Sequence, residues 1–166
     1  TIEALTGVDV IIDDTQEAVV LSCFDGVKRE IARLTIEKLI TDGRIHPGKI
    51  EEIVNKCRKE VEKEIIAAGE EALIELYIPS MHPEIIKTLG RLKYRTSYGK
   101  NVLTHSIEVA KIASTMAAEI GANVELAKRG GLLHDIGKVL VNEIETSHAI
   151  VGGEFVKKFG EKQEVV

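Results

Sequence analysis

This sequence predicts a mainly α-helical fold with a small α/β portion at its N-terminal end, and three observations carry that reading. Aromatic residues are only 4% of the 166 and tryptophan is absent, against 44% hydrophobic residues overall, so the core has to be aliphatic. From Val27 onward most apolar residues recur at spacings of three and four, the period of one helix face. The exception comes early: Val8-Asp9-Val10-Ile11-Ile12-Asp13 and Ala18-Val19-Val20-Leu21-Ser22-Cys23 are β-branched runs separated by Asp14-Thr15-Gln16-Glu17, which reads as two strands and a turn.

Within residues 1–45 a short helix over Thr1–Thr6 ends at Gly7, a residue suited to a helix C-terminus. Asp25 is placed to cap a helix whose apolar positions are Val27, Ile31, Leu34, Ile36, Leu39 and Ile40, ending near Gly43. One hairpin and one helix are too little to stand alone, so more of this portion is expected before Thr1. Lys28, Arg29 and Arg33 lie on that helix, but residues 1–45 hold five basic against nine acidic residues. A solvated helix face is the better reading than a nucleic-acid surface.

Residues 46–78 predict one long bridging helix. Pro47 suits its first turn, and Ile50, Val54, Cys57, Val61, Ile65, Ala68, Ala72 and Leu76 form its stripe. At about 1.5 Å per residue it would reach roughly 40–45 Å. Its other positions alternate Glu and Lys, with Glu60 set to repel Glu64, and Gly69 is the expected place for a kink. Residues 79–100 change character. No acidic residue occurs between Glu84 and Glu108, while Lys87, Arg91, Lys93, Arg95 and Lys100 accompany Tyr94 and Tyr98. Basic and aromatic residues interleaved in this way hold phosphates and stack bases, although a basic loop packed on acidic helices has the same composition.

A helix is then expected from Gly99 to Ile120, stopped by Gly121, with Val102, Ser106, Val109, Ala113 and Met116 on its apolar face and His105 at the margin of that face. The next helix, about 123–136, contains Gly130-Gly131, where another helix backbone can come close; no phosphate-loop spacing is present. Thr146-Ser147-His148 opens a last helix running through Phe155 and Val156 to Gly160.

The chemistry concentrates at His134-Asp135-Ile136-Gly137-Lys138. If helical, Lys138 follows Asp135 and His134 by one turn, so imidazole, carboxylate and ammonium face one volume. Imidazole beside carboxylate suits a divalent cation, and the lysine suits a phosphate on it. His105 could add a ligand from a second helix. A polar helix end with a satisfied histidine is the alternative reading of the same residues.

Compartment and partner classes follow from composition. No apolar run nears the ~20 residues of a membrane span, and no signal peptide opens the chain. Cys23 and Cys57 have no metal or redox spacing, and Cys57 sits on an apolar stripe. A net charge of −5 argues against an overall nucleic-acid surface and leaves only local patches. The cytoplasm is the economical inference. Starting at Thr1 within a helical pattern, the sequence reads as a piece of a longer protein.

His105 followed by His134-Asp135, in the context Gly-Leu-Leu-His-Asp-Ile-Gly-Lys, resembles the HD superfamily of metal-dependent phosphohydrolases in its HDIG variant. The resemblance implies that His105, His134 and Asp135 are metal ligands, that His148 joins a second metal in two-metal members, and that a distal Asp completes the set. The Asp residues are 9, 13, 14, 25, 42 and 135, so no such Asp follows the doublet here. The early strands and helix are similar to the second half of a KH domain, whose Gly-x-x-Gly loop clamps single-stranded nucleic acid; no two glycines stand three apart here. Together with Arg91-Leu92-Lys93-Tyr94-Arg95-Thr96-Ser97-Tyr98-Gly99, the order of features resembles the ribonuclease Y family along nearly the whole chain.

That resemblance implies a KH-like half (1–45), a bridging helix (46–78) and the first part of an all-α HD-type domain, incomplete at its C-terminus (79–166). It implies an endoribonuclease that hydrolyses single-stranded mRNA to initiate decay, using a divalent metal ion (Mg²⁺, Mn²⁺, Zn²⁺ or Fe²⁺), with Asp135, His134 and Lys138 catalytic and Arg91, Lys93, Tyr94, Arg95 and Tyr98 on the RNA. It implies a homodimer, RNA-decay enzymes as partners, and a parent anchored to the cytoplasmic side of the membrane by an N-terminal segment outside these residues. Two other classes fit: an HD phosphodiesterase acting on cyclic dinucleotides or nucleotides, and a non-catalytic RNA-binding or assembly module. These 166 residues alone are expected to be inactive on RNA, to bind metal weakly, and to self-associate through apolar surface on the far side of Leu132, Leu133 and Phe155.

Overall fold

The computed structural model describes residues 1–13, 15, 18–141 and 147–166. They divide into two compact units, Thr1–Lys63 and Glu64–Val166. Among the described residues no helix is long and apolar enough to cross a membrane. Of the turn expected at 14–17, only Thr15 falls within the described residues, and Thr146 of the last helix start lies outside them.

In the first unit, helix α1 (Ile2–Thr6) is capped by the Thr1 hydroxyl and closed by Gly7 at φ 69°. Strands β1 (Asp9–Asp13) and β2 (Ala18–Ser22) pair antiparallel, with Ile11 opposite Val20 and Ile12 opposite Val19. All four of those side chains are largely exposed. Helix α2 (Gly26–Asp42) begins where the Asp25 carboxylate accepts from the amides of Val27 and Lys28, and it ends at Gly43 in the left-handed conformation. The cap satisfies amides that have no partner within the helix. Leu39 packs with Ile53 and Cys57 of helix α3 (Pro47–Glu75), so Cys57 is a core residue. Lys38 pairs with Glu60 across the two helices. Arg33 is held by Glu30 at 2.7 Å and Glu37 at 2.5 Å on its own helix, which supports the solvated-face reading of that basic cluster.

In the second unit the last turns of α3 meet helix α4 (Pro83–Arg91), which starts with His82 as cap and Pro83 in its first turn. Composition marks 79–100 only as basic and aromatic, yet α4 occupies nine of these residues. A Cβ on Gly69 would strike the Ile86 carbonyl, and one on Gly90 the Ile65 carbonyl. Gly69 therefore allows two helix backbones to touch, and α3 runs through it without a break. The Glu60 and Glu64 side chains are not a bare repulsive pair either. Each has its own partner, Lys38 for Glu60 and Tyr94 for Glu64.

A 3-10 turn (Leu92–Tyr94) and a short hairpin, β3 (Thr96–Ser97) with β4 (Lys100–Asn101), precede helix α5 (Val102–Glu119). The helix starts later than Gly99 because Asn101 caps it and residues 96–101 pair as strands. Helix α6 (Val124–Leu133) lies against α5. A Cβ on Gly131 would come 2.8 Å from Ala110 Cα, whereas Gly130 faces open space. Only the second of the two glycines serves the close approach. The helix stops at Leu133, short of the expected 136, and the chain tightens into a 3-10 turn (Ile136–Val139) before helix α7 (His148–Lys158).

The core of this unit is Ala72, Leu76, Ile85, Leu89, Leu92, Val102, Ala110, Leu132, Leu133, Ile136 and Val156. Leu132 and Leu133 are thus covered, and Phe155 packs against the same core. Among the described residues Leu132 and Leu133 therefore expose no apolar surface of the kind expected there, while Phe155 is partly buried. Exposed large apolar side chains of this unit include Ile74 of α3, Ile112 and Met116 of α5, Ile120 at its C-cap, and Ile150 of α7. Arg129 of α6 forms an ion pair with the nearly buried Glu161 and donates to the Ser80 carbonyl at 2.9 Å, tying the end of α7 to the loop before α4.

Candidate metal centre

The five histidines sort into two groups. His46 and His82 each use Nδ1 to accept a first-turn amide at 3.2 Å, from Lys49 and Glu84 respectively, so both are helix caps. The other three converge on Asp135. That carboxylate is 4% exposed, at the point where α6 gives way to the 3-10 turn, with φ −106° and ψ 6°. This bridge region of backbone space is sparsely populated and recurs at functional residues.

Asp135 Oδ2 lies 3.3 Å from His134 Nε2 and 3.9 Å from His105 Nε2, and it accepts from Lys138 Nζ at 2.8 Å. Oδ1 faces His148 Nε2 at 3.5 Å. The two histidine rings on the Oδ2 side meet edge to face, with centroids 5.3 Å apart. His134 Nδ1 is 2.8 Å from the Gly131 carbonyl. A carbonyl only accepts, so the proton of the neutral ring sits on Nδ1 and the Nε2 lone pair points into the cluster, the usual arrangement of a metal-binding histidine held by a backbone carbonyl. One ligand atom from each of His105, His134 and Asp135 lies within 4.8 Å of the others. Two imidazole nitrogens and a carboxylate oxygen are a donor set for a divalent cation of the zinc, manganese or magnesium kind.

Lys138 reaches Asp135 through the 3-10 turn, in which its amide also donates to the Asp135 carbonyl at 3.0 Å, and not through an α-helical turn as the spacing alone suggested. His148 reaches the site because α7 begins against that turn. A Cβ on Gly137 would collide with the His148 carbonyl, and one on Gly152 would lie 3.0 Å from the Gly137 amide nitrogen.

The basic and aromatic residues do not all gather in one place. Tyr94 donates to Glu64 at 2.9 Å, and Lys93 faces the same carboxylate at 3.5 Å. Arg91 closes the last turn of α4 and Arg95 follows the 3-10 turn. Tyr98, by contrast, stands beside the metal centre. With Ser97, Lys100, Val102, His105 and Lys138 it lines a cleft of about 130 Å³. Sequence reasoning missed Ser97 and Lys100 as cleft walls and the Gly131 carbonyl as the anchor of His134. A two-residue turn at Tyr98-Gly99 was the available signal for the first, while the second depends on the helix ending where it does.

Residues 102–166 match the HD domain family, which accounts for α5 through α7. Proteins named ribonuclease Y from Fusobacterium nucleatum, Acetivibrio thermocellus and Thermotoga maritima are 93%, 61% and 57% identical over all 166 residues. Across its whole length the chain is homologous to ribonuclease Y. It spans about a third of those relatives, 33%, 32% and 33% of their lengths. The ribonuclease Y relatives extend the similarity well beyond the HD match, through the hairpin, α2 and the long helix. No solved structure gives a significant match.

Proposed function

We propose that this chain contributes the metal-dependent phosphodiesterase centre, and part of the RNA-holding surface, of a bacterial endoribonuclease that cuts single-stranded mRNA to initiate decay. The convergence of His105, His134 and Asp135 on one point within an HD domain is the observation that carries this reading. In this proposal residues 1–45 are the C-terminal part of a KH-like RNA-binding domain, 46–78 a bridging helix and 79–166 the N-terminal part of the HD domain. A distal carboxylate ligand, the Gly-x-x-Gly loop and an N-terminal anchor on the cytoplasmic face of the membrane come from outside these residues. The working state is a homodimer associated with other RNA-decay enzymes.

A divalent cation, Mg²⁺, Mn²⁺ or similar, would polarise the phosphoryl oxygen and lower the pKa of an attacking water. The chain's own residues have distinct tasks. His105 and His134 present Nε2 lone pairs, with His134 held in the required tautomer by Gly131. Asp135 offers Oδ2 to that pair and Oδ1 toward His148, so Asp135 would be a ligand alongside His105 and His134, and His148 would add a further imidazole. Lys138, one 3-10 turn from Asp135, would offer its ammonium to the substrate phosphate and stabilise charge on the leaving oxygen. Arg91, Lys93, Tyr94, Arg95 and Tyr98 contact the RNA, Tyr98 beside the centre.

The test uses the full-length protein with Mn²⁺ or Mg²⁺, presented separately with single-stranded RNA and with a cyclic dinucleotide. RNA cleavage abolished by Asp135→Asn, with RNA affinity retained, is the expected result. Cleavage of only the cyclic dinucleotide, or an Asp135→Asn protein that cuts RNA within a few-fold of wild type, would overturn it.

A further inference from the structure

Tyr98 occupies a position where the fold has no use for it. Strands β3 and β4 pair Thr96 with Asn101 and Ser97 with Lys100, leaving Tyr98-Gly99 as a two-residue loop. Tyr98 has φ 51° and Gly99 φ 77°, and two positive values in succession define a type I′ turn, whose preferred sequence is Asn-Gly. Glycine meets the requirement at the second position. Tyrosine at the first carries the cost of left-handed backbone for a bulky side chain. Burial does not offset that cost, since Tyr98 is fully exposed at 103% of its reference area. A strained, unburied aromatic beside a chemical centre points to a ligand as its reason.

The cleft next to it gives the ligand's size and chemistry. It is lined by Ser97, Tyr98, Lys100, Val102, His105 and Lys138. At about 130 Å³ it falls well short of the roughly 300–1,000 Å³ that encloses a whole small-molecule ligand, so it takes one ring of a longer substrate. An apolar and aromatic wall flanked by two lysines fits a planar base attached to a phosphodiester backbone. On this basis we infer that Tyr98 is a base-stacking platform for the nucleotide adjoining the scissile phosphate, with Lys100 on the neighbouring phosphate. This inference rests on the ribonuclease reading of the same centre and adds a specificity to it: the nucleotide at the cut has to be unstacked and unpaired to enter, so the site itself selects single strands.

The experiment uses full-length protein carrying Asp135→Asn, so that RNA is bound but not cut, and an oligoribonucleotide with 2-aminopurine at successive positions. One position should show quenched fluorescence on binding. Tyr98→Phe should keep both quench and affinity, and Tyr98→Ala should lose the quench and weaken binding roughly tenfold, the scale of one base–aromatic stack. An abasic nucleotide at the quenched position should make wild type and Tyr98→Ala bind equally. Tyr98→Asn should bind as poorly as Tyr98→Ala while melting at the same or a higher temperature, because Asn suits the turn, which separates lost stacking from lost folding. Binding that is insensitive to Tyr98, or a loss that persists with the abasic strand, would sink the stacking inference and leave the ribonuclease reading intact. Absence of any RNA binding by the parent protein would remove both.

Discussion

Lys138 Nζ donates to Asp135 Oδ2 at 2.8 Å, on the carboxylate oxygen nearest His134 and His105. The ammonium therefore stands where a cation shared by these three ligands would need Asp135. Lysine and metal would share one oxygen, and the positive charge of the ammonium would oppose a cation there. A charge-assisted hydrogen bond is worth about 1.5–3 kcal/mol, so Lys138→Met should tighten Mn²⁺ binding by roughly 10- to 100-fold while slowing RNA cleavage. Titration calorimetry with Mn²⁺ on both proteins checks the sign. Weaker binding in the variant would mean that Lys138 supports the ligands rather than opposing the cation.

Gly137 sets the position of His148. Because the His148 carbonyl and Gly152 pack directly on it, Gly137→Ala has to push α7 away from the 3-10 turn. Overpacking of this kind costs about 1–3 kcal/mol, and the shift should carry His148 out of reach of Asp135. The expected outcome is a lowered denaturation midpoint together with a loss of metal affinity matching that of His148→Ala. Gly130→Ala, which meets open space, is the control and should gain a little from helix propensity, of order 1 kcal/mol at most.

Glu161 is the buried half of its pair with Arg129. Removing one partner of such a pair leaves a desolvated charge, at a cost of about 3–5 kcal/mol. Glu161→Ala should destabilise the second unit by an amount in that range, measured by urea denaturation. A change below about 1 kcal/mol would show the pair to be effectively solvated.

Ser106 is fully buried, and its hydroxyl has no hydrogen-bond partner among the described residues. An unsatisfied buried hydroxyl costs about 1–3 kcal/mol. Ser106→Ala should therefore leave the melting temperature unchanged or raise it. A clear drop would reveal a partner for the hydroxyl, such as bound water.

The basic stretch before α5 should act through phosphates. Changing Arg91, Lys93 and Arg95 together to Ala should flatten the salt dependence of RNA binding, each lost phosphate contact lowering the slope by about one. Since Lys93 faces Glu64 at 3.5 Å, Glu64→Gln should release it and strengthen binding at low salt. A slope unmoved by the triple change would assign these residues to packing.

Local signals were legible in the sequence by itself. Asp25, Gly7 and Gly43 end their helices as read, because a cap is a bond between near neighbours and needs no distant partner. The two paired strands follow from two β-branched runs, and the long helix from its three-and-four periodicity. The HD doublet and His105 stood out as chemical groups, and the site expected around them was assembled from residue types. Only the tertiary structure decided how they meet. Where α6 stops, and whether the next turn is α or 3-10, hangs on small energy differences that packing against α5 and α7 overrules, and that choice aims Asp135 and Lys138. The same packing covers Leu132 and Leu133, turns Gly69 and Gly131 into contact points between backbones, and brings His148 to the far oxygen of Asp135. Tyr98 shows the same division: the sequence marks it as an aromatic among basic residues, but its left-handed backbone and its place beside His105 come from a turn and a helix start that only the folded chain defines.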